Sequence, residues 1–304
     1  MALSHRAPVR ASVCLLLAIG SIFIWSPPAR AQTRHITWTG CGISRKAFMG
    51  EIAAAYEKET GIKIVLSGGG ATKGIRDVAA GEADLGGSCR QHLLGKGGAP
   101  IPEETEAQLI QVGWDALVAV THPDNPVSSI EIDQLRKVFA GEITNWKDLG
   151  GPDQPITLMV REGKESGVGH MFRLLVLRDP GFEFAAAGAQ VFASTGPIEK
   201  AVAATPWSLA IDGVSSARKT KLKLLSIHGT LPTKANVATG RYPLFRPLYI
   251  AVGSNPDPEV RKVVDFILSP KGQAIISKAG TVTLAEGANL APLWKKIEVR
   301  LTAR

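Results

Sequence analysis

The sequence predicts an α/β protein of two lobes facing each other across a cleft, and three observations predict it. First, residues 64–92 hold a short apolar strand (Ile64 to Leu66), a glycine-rich bend (Ser67 to Gly70) and a helix pattern from Thr72 to Ala80 that stops at Gly81. A second strand-like piece, Ala83 to Leu85, then delivers Gly86-Gly87-Ser88-Cys89-Arg90. Second, the arrangement returns where Ile156 to Val160 empties into Arg161-Glu162-Gly163-Lys164-Glu165-Ser166-Gly167 and a helix pattern follows from Val168 to Leu177. Third, a strand (Leu248 to Val252) and a helix pattern (Pro258 to Ala279) are left over at the C-terminal end, as expected where distant chain completes a first lobe. Strand, loop and helix in alternation imply a largely parallel sheet with ligands at the carboxyl ends of its strands. Such loops aim backbone N–H groups at one spot, and the helix dipole adds partial positive charge there, so the spot suits an anion.

Taken in order, residues 1–31 read as a secretory leader: His5, Arg6 and Arg10, the apolar run Ala11 to Trp25, and Ala29-Arg30-Ala31 before Gln32. The run is too short, and too soon followed by Pro27-Pro28, for a bilayer span. Cleavage is expected after Ala31, and Cys14 leaves with the leader. His35 to Thr39 is a strand, Gly40 to Ser44 a loop, and Arg45 to Lys58 a helix with Ala47, Phe48, Ile52, Ala55 and Tyr56 on its apolar face. Leu109 to Val120 contains a long β-like run. Ile130 to Phe139 is expected as a helix capped by Ser128 or Ser129, and Glu199 to Thr205 as another after Thr195-Gly196-Pro197. Trp207 to Val214 is a strand, and the final helix pattern is interrupted near Ser269-Pro270.

With 304 residues, 45% of them hydrophobic and 20% charged, the chain buries one large core or two modest ones. Losing Arg6, Arg10 and Arg30 with the leader lowers the formal charge from +8 to +5, a mild excess that favours small anions. The cluster Arg218-Lys219-Thr220-Lys221-Leu222-Lys223 has no interleaved aromatics, so it reads as a solvated loop and no nucleic-acid partner is expected. Lys73, Arg76, Arg90 and His170 also read as solvated rather than as ligands. No Gly-x-Ser-x-Gly elbow, His-Glu-x-x-His pair or zinc spacing occurs, and Cys89 with His92 lacks a third group. The chain is read as no enzyme, with no cofactor and no metal ion. Cys41 and Cys89, the two cysteines beyond the leader, sit at strand ends expected to be neighbours. A disulfide, a ligand thiol and an inert buried thiol at Cys89 all stay open.

Several segments together resemble the phosphate-binding periplasmic proteins of ABC transporters, over nearly the whole chain beyond the leader. Thr39-Gly40-Cys41-Gly42-Ile43-Ser44 is similar to that family's first ligand loop, and Ser67-Gly68-Gly69-Gly70 to its Gly-Ser-Ser-Gly loop. Ala83-Asp84-Leu85-Gly86-Gly87-Ser88 is similar to its Val-Asp-Phe-Gly-Ala-Ser, and Phe139-Ala140-Gly141-Glu142-Ile143-Thr144-Asn145-Trp146 is close to its most recognisable segment. Arg161 through Gly167 is similar to its Arg-x-x-x-Ser-Gly-Thr loop with one residue more. The resemblance implies a two-lobe periplasmic binding protein of type II, each lobe a mixed sheet flanked by helices with a hinge between. Residues 32–120 plus 245–304 would form one lobe and 121–244 the other, in a monomer located in the periplasm.

The resemblance also implies a ligand set: Ser44, Ser67, Gly68 and Gly69 from the first lobe, and Arg161, Ser166 and Gly167 from the second. Three positions depart from the pattern: Gly68 stands for a serine, Val168 for a threonine, and Cys89 for an aspartate that accepts the proton of a protonated phosphate. Each lost charge-assisted hydrogen bond is worth on the order of 1–3 kcal/mol. A thiol at position 89 suits a soft centre instead. The chain thus also resembles the periplasmic arsenite-binding proteins, which feed a sensor histidine kinase rather than a membrane permease complex. On that resemblance arsenite, bonded through Cys89 with Cys41 beside it, is the favoured ligand, and phosphate the alternative.

Overall fold

A nine-stranded mixed sheet runs through the described residues and places the glycine bend at the end of its strand Lys63–Gly68 and the loop after its strand Thr157–Arg161. The computed structural model describes Met1, residues 35–184 and residues 188–302. The expected leader and Cys14 lie outside the described residues, and residues 34–304 form one unit. The first strand, β1 (His35–Gly40), leads into a helical run over residues 42–60, comprising α1 (Gly42–Ser44), one π turn (Arg45–Met49) and α2 (Gly50–Thr60). Gly61, left-handed at φ 74°, ends it. Next come β2 (Lys63–Gly68), α3 (Gly70–Ala79), β3 (Leu85–Ser88) and the long β4 (Ala107–Thr121).

The glycine bend turns because Gly69 (φ 141°) and Gly70 (φ 91°) take backbone angles that L side chains rarely adopt. Farther along, a methyl on Gly86 would overlap the Gly74 carbonyl, so the bare strand β3 lets α3 lie directly against it.

The second block is β5 (Ser129–Ile130), α4 (Ile132–Phe139), β6 (Thr157–Arg161), α5 (Gly167–Phe172) with a π turn to Leu177, β7 (Gln190–Phe192), α6 (Thr195–Ala204), β8 (Ser208–Gly213) and α7 (Val214–Ala217). Short β9 (Lys223–Leu224), β10 (Ser226–Ile227) and α8 (Lys234–Ala238) lead to β11 (Phe245–Gly253). The chain closes with α9 (Pro258–Leu268), α10 (Pro270–Lys278) and α11 (Leu290–Thr302). Ser269 ends α9 and caps α10, its hydroxyl accepting from the Gly272 N–H at 3.1 Å with Pro270 in the first turn, which explains the expected interruption.

Among the described residues the strands run β2-β1-β3-β11-β4-β8-β6-β7, with β9 also on β4 and a separate β10–β5 pair. Pairs β1–β2, β1–β3, β6–β7 and β6–β8 are parallel. Strand β11 is antiparallel to β3 and β4, and β4 to β8, so the sheet is mixed rather than largely parallel. The cause is β4, which pairs β11 along Ala107 to Ala116 and then β8 along Leu117 to Thr121, joining the two strand groups. Trp38, Phe48, Val118, Ile250 and Ile267 are among the side chains of the continuous core behind it.

Three local readings are corrected. Ser129 and Ile130 pair with Ser226 and Ile227 as strand, so α4 begins at Ile132. Its cap is Glu131, whose N–H bonds the Gln134 side chain at 2.9 Å, rather than Ser128 or Ser129. Gly86, Gly87 and Ser88 belong to β3 rather than to the loop after it, because a neighbouring strand on each side claims their backbone.

Candidate functional site

Four helical segments begin around one cavity. Gly42 opens α1, Gly70 opens α3, Gly167 opens α5 and Thr195 opens α6, and all four line it with Cys41, Ala71, Cys89, Arg161, Ser166 and Val168. The cavity is a small one that opens to solvent at its mouth. Sheet connectivity causes the convergence: β4 pairs first with β11 and then antiparallel with β8, so β6 runs opposite to β1 and β2, and the carboxyl ends of the two strand groups meet at the cavity. Helix starts carry unsatisfied N–H groups and partial positive charge, so the cavity is an electrostatic well for an anion.

Arg161, the last residue of β6, brings the formal charge. Only 6% exposed, it donates from Nη2 to Thr195 Oγ1 at 2.9 Å and approaches Asp212 Oδ1 at 3.5 Å, while its buried Nε–H has no protein partner. Burial pushes the Asp212 carboxyl well above the usual range despite Arg161, and neighbouring Glu199 adds to the rise. The long 3.5 Å approach to Asp212 and the unpartnered Nε–H leave the guanidinium with donor capacity for a ligand.

On the opposite wall the Cys41 and Cys89 sulfurs lie 2.7 Å apart as free, buried thiols. Burial pushes the Cys41 thiol up, but the hydrogen bond with Cys89, the Arg246 charge and the backbone N–H groups of Ser44 and Ile43 outweigh it and bring it to about 7. Burial and the Cys41 bond drive Cys89 well above its ordinary value. Arg246, fully buried on β11, pairs with Asp115 Oδ2 at 2.9 Å and donates to the carbonyls of Cys89 (3.2 Å) and Gly167 (3.3 Å). One guanidinium thus holds two loops that meet at the cavity.

The two strand groups touch around it. Thr72 Oγ1 donates to the Glu165 carbonyl at 2.8 Å, Arg90 Nε to the same oxygen at 2.9 Å, and Arg76 pairs with the Glu165 carboxylate at 2.8 Å. Lys46 reaches Glu199 at 2.6 Å.

Of the residues expected at the site, the fold gathers Cys41, Cys89, Arg161, Ser166 and Gly167 on the cavity. Ser166 Oγ also caps α5, accepting from the Gly169 N–H at 3.2 Å. Ser44, Ser67, Gly68 and Gly69 do not line it. Ser44 is fully buried with its hydroxyl unpartnered, and Ser67 is exposed on β2. Arg90 is not solvated: it is 1% exposed and paired with Glu104 at 2.6 Å, because the Glu104 carboxylate is buried beside it. Lys219, in the cluster read as solvated, pairs with Glu51 at 2.6 Å. Sequence reading missed Thr195, Asp212 and Arg246. Ser194-Thr195 ahead of Pro197 is a helix-start signal that pointed to the first; nothing local marks the other two.

The family model described as a PBP superfamily domain matches residues 28–271, and the chain belongs to that family. A curated relative, the phosphate-binding protein PstS of Bacillus subtilis, is 28% identical over 83% of this chain and 81% of its own length. PstS of Borreliella burgdorferi is 30% identical over 55% of this chain, and that match spans 62% of the relative. Among solved structures, an ABC-type phosphate transport receptor from Vibrio cholerae is 25% identical with TM-score 0.61, covering 82% of this chain and all of that one. A Clostridium perfringens structure described as a phosphate ABC transporter substrate-binding protein with bound phosphate has TM-score 0.72 at 24% identity, over 82% and 99% of the two chains. The fold is the mixed α/β, two-lobe architecture of these neighbours. None of the four is described as binding arsenite, and both curated relatives are named as binding proteins.

Proposed function

We propose that this chain is a periplasmic solute-binding protein that captures a small inorganic oxyanion in the cleft and presents it to a membrane permease complex. Phosphate, the anion its relatives are named for, is the leading ligand. The observation that carries the reading is the meeting of four helix starts and the half-free Arg161 guanidinium on one cavity. Arg161 would grip the anion while the N–H groups of Gly167 and Gly70 and the hydroxyls of Ser166 and Thr195 donate to it. From the glycine-loop side the ligand would meet Gly70, while Ser44, Ser67, Gly68 and Gly69, expected there from the resemblance, lie off the cavity. The lobes of this reading are residues 32–120 plus 245–304 and residues 121–244, with the hinge where β4 passes from β11 to β8 and where the chain returns into β11. Closure brings Glu165 onto Thr72, Arg76 and Arg90, and the closed form is what the permease would recognise. An export leader over residues 1–31 fits this address.

Arsenite, held through Cys89 and reported to a sensor histidine kinase, is a second reading. It is favoured by the two adjacent thiols on the cavity wall and by apolar Val168 beside them. Calorimetric titration of the reduced protein with phosphate, arsenate and arsenite separates the two. Tight phosphate binding lost in Arg161→Gln supports the first. Tight arsenite binding lost in Cys89→Ser, with phosphate weak, supports the second. If no oxyanion binds, both are wrong.

A further inference from the structure

The cysteine pair has a chemistry of its own. Strands β1 and β3 run parallel with Gly40 opposite Gly87, and the Cys41 N–H donates to the Gly87 carbonyl at 2.8 Å, so both chains leave the sheet side by side. Cys41 follows Gly40 directly, and Cys89 lies just past Ser88, the last residue of β3. Their sulfurs touch, 3% and 0% exposed, on the wall of the proposed ligand cavity. The geometry points to a reversible redox pair: oxidation of Cys41 and Cys89 to a disulfide removes the cleft's thiols and leaves its oxyanion-holding groups, Arg161 and the helix starts, in place. The disulfide itself is independent of any ligand; its consequence for ligand choice rests on the oxyanion reading above.

The step needs a small disulfide as oxidant. In the open cleft the Cys41 thiolate attacks one sulfur of R–S–S–R, forming a Cys41–S–R bond and releasing R–S⁻, which takes up a proton. Cys89 then gives up its proton and attacks the Cys41 sulfur, forming the Cys41–Cys89 bond and expelling the second R–S⁻. Two protein thiols and one disulfide become one protein disulfide and two thiols, with two sulfurs oxidised and two reduced. Cys41, 3% exposed where Cys89 is fully buried, is the sulfur a small disulfide reaches first, and its lowered ionisation suits it to that attack. The Arg246 charge that favours its thiolate is fixed by Asp115.

The reduced pair offers a soft centre two sulfur ligands; the disulfide offers none. Oxidation should therefore weaken arsenite binding at least about tenfold and change phosphate binding by less than about threefold. The full chain is incubated with oxidised glutathione, denatured, and analysed by intact mass, thiol titration and peptide mapping. The expected result is loss of both thiols with no glutathione retained and a Cys41–Cys89 cross-linked peptide, reversed by a dithiol reductant. Cys89→Ser should stop at a glutathione adduct on Cys41, and Cys89→Ala repeats the measurement should the serine variant fold poorly. Persistence of both thiols, or a stable glutathione adduct on the unmodified chain, overturns the pair. Phosphate binding abolished by oxidation overturns the claimed division of roles. A disulfide that forms in a protein binding no oxyanion leaves the redox pair standing and sinks the oxyanion reading instead.

Discussion

A single methyl group tests whether the two halves of the cavity close on each other. Gly167 opens α5, and its backbone lies outside the left-handed region, so alanine is tolerated there in isolation. In the closed arrangement a Cβ on Gly167 would sit 2.4 Å from Cys89 Sγ and 2.9 Å from Ala71 Cβ, both on the opposing strand group. Nonbonded heavy atoms want roughly 3.5–4 Å, so the walls must part by about 1 Å or leave their rotamers. Overpacking of this kind costs about 1–3 kcal/mol. On the hinge-closing reading proposed above, an open cleft would separate these surfaces, so the cost would fall on the closed, ligand-holding state rather than on folding. Gly167→Ala should therefore weaken phosphate binding about 5- to 150-fold by calorimetry, while unfolding of the ligand-free protein stays within about 0.5 kcal/mol of the parent. Adding Cys89→Ala removes the nearer overlap and should recover part of the loss. Gly196→Ala, where nothing lies within 4 Å of the new methyl, is the control and should bind as the parent does. Parent-like affinity in Gly167→Ala would refute closure of this loop against Cys89.

Arg161→Gln keeps much of the side chain's length and removes its charge; oxyanion affinity should fall about 10- to 150-fold in the same titration, the worth of a charge-assisted contact. Arg246→Met strands the fully buried Asp115 carboxylate and should lower unfolding free energy in urea by about 3–5 kcal/mol, with Arg246→Met/Asp115→Leu recovering most of it. Acid should destabilise the protein in two windows. Half-buried His170 is held at about 4, first by burial and then by the Arg90 charge, against an ordinary 6.5. The unfolded chain therefore takes up this proton first, and stability present above pH 6.5 drains as pH falls towards 4, by at most about 3 kcal/mol and less for a partly exposed ring. His170→Gln should flatten that slope in pH-dependent urea melts. Below the ordinary 4.5 of a glutamate, Glu286 contributes the second loss: burial is outweighed by Lys234, the Thr283 N–H and Ser277, which hold it at about 2.

Local readings succeeded where local chemistry decides. The strand, glycine bend and helix over residues 63–79 follow from apolar runs broken by glycines able to take positive φ, and Ser269-Pro270 ends one helix and starts the next by its own hydrogen bond. The strand at Ser129-Ile130 was misread because its partner, Ser226-Ile227, lies nearly a hundred residues away. Helix α11 lacked a strong apolar stripe and was not foreseen. Ser67, read as part of the loop, is instead a β2 residue facing solvent.

By itself the sequence determined the alternation of strands, loops and helices, the anion character of those loops, and Cys41, Cys89, Arg161, Ser166 and Gly167 as residues of interest. Those properties depend on backbone freedom and side-chain chemistry carried by a few consecutive residues. Only the tertiary structure decided that four helix starts share one cavity, that Arg161 meets Thr195 and Asp212, that the two thiols touch, and that Arg246 ties their loop to Gly167. Each of those joins side chains that sheet order brings together across dozens of intervening residues, and no local pattern encodes such a distance.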